Sequence, residues 1–124
     1  MDILLSNASN KPIYEQIKLQ IKDLILQGEL KEGDPLPSMR ALAQQLRISI
    51  ITTKRAYEEL EAEGFIESFT GKGSFVRAQN RELLREEGLR QIETLLTQAI
   101  EKARGCGVSR EELTELMEIL YEGE

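Results

Sequence analysis

The stretch LPSMRALAQQLRISIITTKRAY, from Leu36 to Tyr57, carries two short amphipathic patterns separated by a break at Arg47-Ile48-Ser49. Serine is a favourable N-cap, so Ser38 predicts the start of one helix and Ser49 the start of another that runs to about Glu63. The buried positions expected in the two helices are Met39, Leu42 and Leu46, then Thr53, Ala56, Tyr57 and Leu60. The stretch therefore predicts a helix–turn–helix.

The same stretch is basic within an acidic protein. Between Arg40 and Tyr57 there is no acidic residue, whereas the whole chain has a formal net charge of −6. The cations in this interval are Arg40, Arg47, Lys54 and Arg55. Backbone phosphates of DNA attract positive charge, and a helix fits the major groove. The position of the charge, and not its total, therefore predicts DNA binding.

The flanking sequence extends the predicted fold on both sides. Upstream, apolar residues at three- and four-residue spacing predict a helix that starts with Pro12 as its first residue and ends at Gly28. Its apolar positions are Tyr14, Ile17, Ile21, Leu24 and Ile25. Downstream, Gly64 followed by Phe65 is typical of a helix ending, and the β-prone runs 65–69 and 74–77 flank a glycine-rich turn. The order of elements is that of a winged helix–turn–helix.

The C-terminal part of the chain has a different character. Residues 79–124 carry six basic and eleven acidic side chains, so we place a boundary between a DNA-binding domain, 1–78, and a helical tail, 79–124. Two helices are predicted in the tail, separated by Gly105-Cys106-Gly107, and the second begins with a capping box at Ser109. The fold class is thus mainly α with a small β-hairpin, followed by a short two-helix dimerisation tail.

The tail helices carry an apolar seam at nearly coiled-coil spacing. A tail of 46 residues cannot form an independent core of much buried area, so we interpret the seam as a homodimer contact. The alternative is that it packs only against its own domain. The predicted dimerisation residues are Leu89, Ile92, Leu96, Ala99, Ile100, Ala103, Leu113, Leu116, Met117 and Leu120. The same size argument speaks against an effector pocket of several hundred Å3 there.

Composition excludes several classes of chemistry. The chain has no histidine and a single cysteine, Cys106, which excludes imidazole-based catalysis, an intramolecular disulfide and multi-cysteine zinc sites. Acidic residues such as Glu58 and Glu59 are scattered on a solvent face, where ordinary solvation is the simpler interpretation than a metal site. We expect no cofactor, no metal and no enzymatic activity. No apolar run predicts a membrane span or a signal peptide, so we expect a cytoplasmic protein.

From Pro12 to Val76 the sequence resembles the DNA-binding domain of GntR-type bacterial transcription regulators, and the short tail resembles the YtrA subfamily. The matching segments are Pro12 to Ile17, Gly28 to Leu30, Gly33-Asp34, Leu36 to Ala43, Arg55 to Leu60, Glu63 to Ile66 and Gly71 to Val76. The resemblance implies a homodimeric repressor that binds a palindromic operator in double-stranded DNA. In the subfamily that operator often controls the protein's own operon together with an ABC transporter.

The resemblance also implies which residues contact DNA. They lie on the second helix, at the start of the third helix and in the hairpin turn. The predicted DNA-binding residues are Ser38, Arg40, Ser49, Thr52, Lys54, Arg55, Gly71, Lys72 and Gly73. Three features have structural alternatives. Ser49 can be a helix cap with Thr52 only its neighbour, and the glycines can be turn formers. Arg55 can be an ion-pair partner of Glu58 or Glu59.

The chain departs from the family pattern at the mouth of its third helix. Arg47 stands where glycine is usual, Thr53 where valine is usual, and Ser49-Ile50-Ile51 replaces a more polar segment. Isoleucine cannot hydrogen-bond base edges, although it can contact thymine methyl groups. DNA binding therefore follows from the resemblance, whereas the operator, the regulated genes and any small-molecule effector do not. A rival hypothesis is a protein-interaction module in which the winged helix is a scaffold and the acidic tail docks a basic partner.

Overall fold

A computed structural model of the chain describes residues 1–123. Within that range it contains five helices and one two-stranded antiparallel sheet. In chain order the elements are α1 (Ile13–Leu26), α2 (Met39–Leu46), α3 (Ile50–Ala62), β1 (Ile66–Phe69), β2 (Gly73–Val76), α4 (Arg81–Cys106) and α5 (Arg110–Glu122). This order confirms the predicted fold class, a winged helix–turn–helix followed by two helices.

Three serines begin helices where the sequence predicted them. Ser38, Ser49 and Ser109 have extended backbone conformations and accept hydrogen bonds from backbone N–H groups of the turns that follow. At Ser109 the side chain of Glu112 also accepts from the backbone N–H of the serine, which completes the predicted capping box. Local side-chain chemistry thus sets these boundaries.

Other boundaries differ from the predicted ones by one or two residues, and α4 continues through Gly105 and Cys106, which were predicted to lie between the tail helices. Pro12 is the N-cap of α1 and not its first helical residue. The strands are Ile66–Phe69 and Gly73–Val76, whereas the runs 65–69 and 74–77 were predicted. Phe65 is left out of β1 because its N–H ends α3 by donating to the carbonyl of Leu60 at 2.9 Å.

The core of the winged-helix unit lies where α1, α2 and α3 meet the hairpin. The four residues predicted for the inner stripe of α3 are all buried: Thr53, Ala56, Tyr57 and Leu60. They pack with residues from the other elements: Ile3, Ile17, Ile21, Ile25, Leu36, Leu42, Phe65, Ile66 and Val76. Tyr14 and Leu24, predicted as core positions of α1, are only partly buried.

The connector between α1 and α2 pairs with the outer side of β2, beside the hairpin. Pro35 forms a bridge with Phe75, and backbone hydrogen bonds flank it on both sides, with Gly33 donating to Val76 and Leu36 donating to Ser74. Proline has no N–H, so its place at an edge costs no ladder bond. The connector therefore fixes β2 against the helices.

The N-terminal segment is held on α1 by two glutamines. Gln20 accepts from the backbone N–H of Leu4 at 2.9 Å and donates to the carbonyl of the same residue at 2.7 Å, and Gln16 makes the equivalent pair of bonds with Ser6. This two-point attachment buries Ile3, which is 8% exposed.

A cluster of ion pairs joins α1 to α3. The Nζ atom of Lys18 lies 2.9 Å from carboxylate oxygens of both Glu59 and Glu63, and the Nζ atom of Lys22 lies 2.6 Å from Glu63. Lys22 also lies 5.1 Å from the centre of the Phe65 ring. Burial alone raises the pKa of Glu63, but the hydrogen bonds from Lys22 and Lys18 outweigh it, so the pKa lies below its usual 4.5.

We expect Glu63→Gln to lower the free energy of unfolding by about 1–3 kcal/mol at pH 7. The loss is smaller than for a fully buried pair because the Glu63 side chain is 34% exposed. A carboxyl with a depressed pKa stabilises the fold above its unfolded pKa and loses that effect as the pH falls through the folded pKa. The difference in unfolding free energy between wild type and variant should therefore become smaller as the pH falls below 4.5, the usual pKa of a glutamate.

Urea unfolding at pH 7 and at acid pH measures this difference. Glu58→Gln is the matched control, because Glu58 is an exposed acid on α3, the helix that Glu63 caps at its C-terminal end. Equal stability of the Glu63 and Glu58 variants at pH 7 would show that the ion-pair cluster contributes nothing to the packing of α1 on α3.

The backbone contacts divide the chain into two units, Met1–Leu84 and the part from Arg85 onward. The 26 residues of α4, which begins at Arg81 within the first unit, bury only Glu87 and Ala103, and no residue of α5 is buried. Most apolar side chains of the two helices are therefore exposed within one protomer. Despite this, none of the helices in residues 1–123 is both long enough and apolar enough to cross a membrane.

Candidate nucleic-acid interface

The angle between α2 and α3 is fixed by side chains that face the core. The Oγ1 atom of Thr53 lies 3.2 Å from the carbonyl oxygen of Met39 and 2.9 Å from that of Ile50, so its hydroxyl can donate to either. The hydroxyl of Tyr57 donates to the carbonyl of Pro37 at 2.7 Å. Burial raises the pKa of Tyr57, which keeps the phenol protonated and able to donate. The Tyr57 bond, and the Thr53 hydroxyl where it donates to Met39, connect α3 to the start of α2 and the residue before its cap.

The sequence predicted that Thr53 and Tyr57 are buried, but it did not predict the hydrogen-bond partners of their hydroxyls. Thr53 stands where the family resemblance described above implies valine, and the carbonyl of Met39 in the neighbouring helix lies within hydrogen-bond distance of the extra hydroxyl. The sequence did carry one signal for these bonds, namely a hydroxyl at a predicted core position. A buried hydroxyl needs a hydrogen-bond partner, so its presence indicates a bond to a neighbouring element.

Arg40 and Lys54 are brought to the same end of the helix pair. Each follows directly after one of the hydrogen-bonded residues Met39 and Thr53, and each has an exposed side chain. Ser38, which accepts from the N–H of Ala41 at 3.0 Å, holds the first turn of α2 that carries Arg40. Two exposed cations therefore lie beside the junction of α2 and α3.

The first turn of α3 presents apolar side chains beside those cations. Ser49 accepts from the N–H of Ile51 at 3.0 Å and so caps the helix. Ile51 is 79% exposed and Ile50 is 45% exposed, while Thr52 is half-buried. Two large apolar side chains that are exposed in this way do not stabilise the fold. Their exposure therefore favours the interpretation that they contact a binding partner.

Arg55 is placed differently from Lys54. Its guanidinium lies 3.8 Å from the centre of the Tyr14 ring, donates to the Tyr14 hydroxyl at 3.1 Å and pairs with Glu59 at 3.2 Å. The ion pair with Glu59 is one of the alternatives left open by the sequence. The stacking on Tyr14 was not foreseen, because α1 is distant in sequence. The side chain is still 60% exposed, so a DNA contact by Arg55 stays a prediction.

The hairpin turn carries a third cation. β1 and β2 pair in the register Ile66 with Val76 and Phe69 with Gly73, which leaves a three-residue turn with Lys72 exposed. Gly71 and Gly73 have φ angles of 78° and 103°, values that disfavour any residue with a Cβ atom. Both glycines are therefore required by the turn, and Lys72 supplies its charge.

Apart from Arg55, which pairs with Glu59, the cations of the predicted interface have no acidic partner in the part of the chain that the structure describes. Ion pairs within residues 1–123 involve Lys18, Lys22, Arg55 and Arg90, together with the interactions of Asp23 and Glu87. Arg40, Lys54 and Lys72 thus carry positive charge that the protomer itself does not neutralise. An external polyanion is the partner that this charge fits.

Arg47 occupies the turn between α2 and α3 in a left-handed conformation, with φ 57° and ψ 48°. It is the one residue other than glycine with positive φ among residues 1–123. For a residue with a Cβ atom this conformation costs roughly 1–2 kcal/mol. The side chain is exposed, and no ion pair within the described residues involves it.

No three histidine, cysteine, aspartate or glutamate side chains converge on a possible metal site anywhere in residues 1–123. An open groove of about 520 Å3 lies beside the hairpin. It is lined by Glu32, Gly33, Glu67, Phe69, Lys72, Phe75, Val76, Arg77 and Ala78. The expectation against a roomy pocket concerned the tail, whereas this groove lies in the winged-helix unit.

In the tail, the exposed face is wider than the predicted seam. Leu89, Ile92 and Leu96 are between 46% and 51% exposed, as a free dimerisation face requires. Other exposed apolar residues of the two helices were not predicted: Leu95, Ile119 and Tyr121. Ala103, by contrast, is buried within the protomer at 8% exposure, and Leu113 is half-buried, so their predicted dimer contacts have less surface available.

Comparison with known proteins gives consistent matches over this architecture. Residues 13–76 match the family described as bacterial regulatory proteins, gntR family. The HTH-type transcriptional repressor YtrA of Bacillus subtilis strain 168 is 41% identical over 113 residues, which are 91% of this chain and 87% of that protein. This match extends through the tail as well as the winged-helix unit.

Solved structures agree with the sequence matches. A GntR family transcriptional regulator from Listeria monocytogenes superposes with a TM-score of 0.75 at 27% identity, covering 92% of this chain and 97% of that chain. The AraR DNA-binding domain in complex with operator ORR3 superposes with a TM-score of 0.52 at 30% identity, covering 61% of this chain and 92% of that chain.

Proposed function

This chain belongs to the gntR family of bacterial regulatory proteins and is a DNA-binding transcription regulator, and on that premise we propose that it is a cytoplasmic, homodimeric repressor. Its two protomers bind the two halves of a palindromic operator. Similarity to the repressor YtrA over 91% of the chain supports repression. The resemblance to that subfamily supports the protein's own operon, one that encodes an ABC transporter, as the target.

The observation that carries the proposal is the cluster of unpaired cations on a rigid helix pair. Arg40 and Lys54 project from helices joined by the Thr53–Met39 hydrogen bond, in a chain with a net charge of −6. No ion pair within residues 1–123 involves either side chain. This favours phosphate groups of DNA as their partners.

We assign the contacts by the chemistry of each residue. Arg40, Lys54 and Lys72 contact backbone phosphates and set the position of the protein on the duplex. Residues 49–55 enter the major groove, where Ile50 and Ile51 contact thymine methyl groups. Backbone N–H groups at the capped start of α3, with Ser49 and Thr52, bind a phosphate oxygen. The remaining predicted contacts are Ser38 as the cap of α2, Arg55, and the turn glycines Gly71 and Gly73.

The dimer is formed by the tail, residues 79–124, and the DNA contacts by residues 1–78. Large apolar side chains of α4 and α5 stay about half exposed or more in the protomer, among them Leu96 at 46% and Leu120 at 63%. A second copy of the same chain covers such a face with two-fold symmetry. That symmetry places the two recognition helices roughly 34 Å apart, one turn of DNA, or a multiple of it.

A gel-shift titration with the promoter region upstream of the protein's own gene tests the proposal. We expect strong retardation that weakens steeply as salt increases, because phosphate contacts release counterions. A same-length duplex of unrelated sequence should bind much more weakly. No retardation at low salt would favour the rival hypothesis, a protein-interaction module, over the repressor.

Replacing Arg40 with Ala is expected to weaken binding to all sequences about five- to tenfold and to flatten the salt dependence, by roughly one unit of log K against log salt for each lost phosphate contact. The side chain is exposed, so the fold should be unaffected. Fluorescence anisotropy with labelled duplexes at several salt concentrations measures both quantities.

Lys31→Ala is the matched control for Arg40→Ala. Lys31 is an exposed cation in the α1–α2 connector, next to the strand pairing of Gly33 with Val76 and so at the end of the hairpin opposite its turn. If the two variants had the same affinity and the same salt slope, Arg40 would have been assigned wrongly.

A further inference from the structure

The turn between α2 and α3 contains a cation that the family resemblance does not assign to DNA binding. Arg47 has a positive φ angle of 57°, and its N–H donates to the carbonyl of Gln44 at 3.3 Å. The next residue, Ile48, donates to the carbonyl of Ala43 at 3.0 Å and is partly buried against the core. These two bonds and the apolar contact define a Schellman ending of α2.

The chain ends three other helices in the same way, and there it uses glycine. Gly28, Gly64 and Gly107 have φ angles between 77° and 88°, and in each case the next residue donates back into the helix. Glycine adopts this conformation without steric cost, whereas arginine does not. The helix–turn–helix therefore carries an arginine at a position where the backbone favours glycine.

A purely structural explanation for this arginine is weak. A cation near the C-terminus of a helix is favoured by the helix dipole, but that gain is smaller than the cost of the left-handed conformation in an exposed position. No ion pair within residues 1–123 uses the Arg47 side chain, and it is exposed. Strain at a residue whose side chain the fold does not use points to a role outside the protomer.

The surroundings of Arg47 identify that role. It lies two residues before Ser49, the cap of α3, and within the interval from Arg40 to Tyr57 that contains no acidic residue. We propose that Arg47 contacts a backbone phosphate beside the major groove and anchors the start of the recognition helix. This inference rests on the proposed function, because it requires that α3 enters that groove.

Three substitutions separate the charge of Arg47 from its backbone conformation. Arg47→Gly removes the charge and relieves the strain, Arg47→Asn removes the charge with a residue that tolerates positive φ, and Arg47→Lys keeps the charge. The full-length proteins are titrated by fluorescence anisotropy into the fragment upstream of their own gene and into an unrelated duplex of equal length. Each titration is repeated between 50 and 200 mM salt, a range of roughly fourfold over which phosphate contacts are resolved.

We expect the Gly and Asn variants to bind both duplexes about tenfold more weakly than wild type, with a salt slope flatter by roughly one unit per protomer. The Lys variant should stay within about threefold of wild type with an unchanged slope. The Gly variant should also melt a few degrees higher, about 2–5 °C, because the strain is gone. If the Gly variant binds DNA more weakly but is more stable than wild type, unfolding cannot be the cause of the weaker binding.

Two results overturn the proposal, and they are distinguishable from failure of the proposed function. If wild type binds its upstream fragment but the Gly and Asn variants bind equally well with the same slope, Arg47 makes no phosphate contact. If the Lys variant is as weak as the Asn variant, the charge is not what matters. If wild type itself fails to bind at low salt, the repressor function fails, and the Arg47 contact fails with it.

Discussion

Leu96→Glu is expected to convert the protein to a monomer and to lower its affinity for operator DNA by about two to four orders of magnitude. Leu96 lies near the middle of the exposed apolar face of α4 and is 46% exposed within one protomer. A carboxylate there is solvated in the monomer, but it would be buried against apolar side chains in the dimer. Burying an unpaired charge is strongly unfavourable, so the dimer and not the fold should be lost.

The DNA affinity follows from the loss of the dimer. In a dimer, binding of one recognition helix to its half-site holds the second at a high effective concentration near the other half-site. A monomer gains no such advantage and binds each half-site independently. The variant should therefore bind the intact operator and an isolated half-site with similar affinity, whereas wild type should strongly prefer the intact operator.

The control for Leu96→Glu is Gln98→Glu, which adds the same charge two residues along the same helix. At 100° per residue this position lies on nearly the opposite side of α4, and Gln98 is exposed. Analytical ultracentrifugation gives the oligomeric state, and circular dichroism checks that both variants keep their helices. A Leu96→Glu variant that still sediments as a dimer would show that this face of α4 is not the interface.

The helix boundaries could be predicted because the chemistry that sets them is local. Ser38 and Ser49 satisfy backbone donors two or three residues away, and Gly64 adopts a positive φ for the residues next to it. Each signal lies within a few residues of the boundary that it marks. The order of the elements, and with it the winged helix–turn–helix, followed from these signals.

Contacts between distant segments could not be predicted in the same way. Pro35 forms a β-bridge with Phe75, so the connector that contains it pairs with the sheet. Arg55 stacks on Tyr14, which lies 41 positions away in the sequence. Both depend on how elements pack, and spacing within one element carries no information about that. For the same reason the sequence could propose Glu59, four residues away on the same helix, as a partner of Arg55, but not Tyr14.

The tail shows a related limit. Spacing predicted the seam of Leu89, Ile92 and Leu96, and the structure leaves these residues exposed. Tyr121, which is 79% exposed, was not among the predicted dimerisation residues. The spacing of apolar residues along a helix does not show which of them other parts of the chain cover. Ala103 fits the same period, yet it is buried within its own protomer. A heptad pattern therefore gives the candidate face, but it does not separate contacts within the chain from contacts with a second copy.

Lys54→Glu is expected to reduce affinity for operator DNA about a hundredfold at physiological salt, which is the largest effect that we expect from a single substitution in the winged-helix unit. Lys54 follows Thr53, whose hydroxyl is within hydrogen-bond distance of the carbonyl of Met39, so its backbone is held rigidly while its side chain is exposed. The substitution removes an attraction to phosphate and adds a repulsion, once in each protomer. Dimerisation should be unaffected, because the tail is unchanged.

The comparison of Lys54→Glu with Lys54→Gln separates the two roles that Lys54 can have. A phosphate contact requires that Lys54→Gln weaken binding to operator and to unrelated DNA by the same factor, with a flatter salt slope in both cases. A contact with a base edge requires a larger loss for the operator than for unrelated DNA. Lys31→Glu, with the same charge reversal at the far end of the hairpin, is the control for net charge. If it weakened binding as much as Lys54→Glu, the general electrostatic field of the protein, and not α3, would account for the loss.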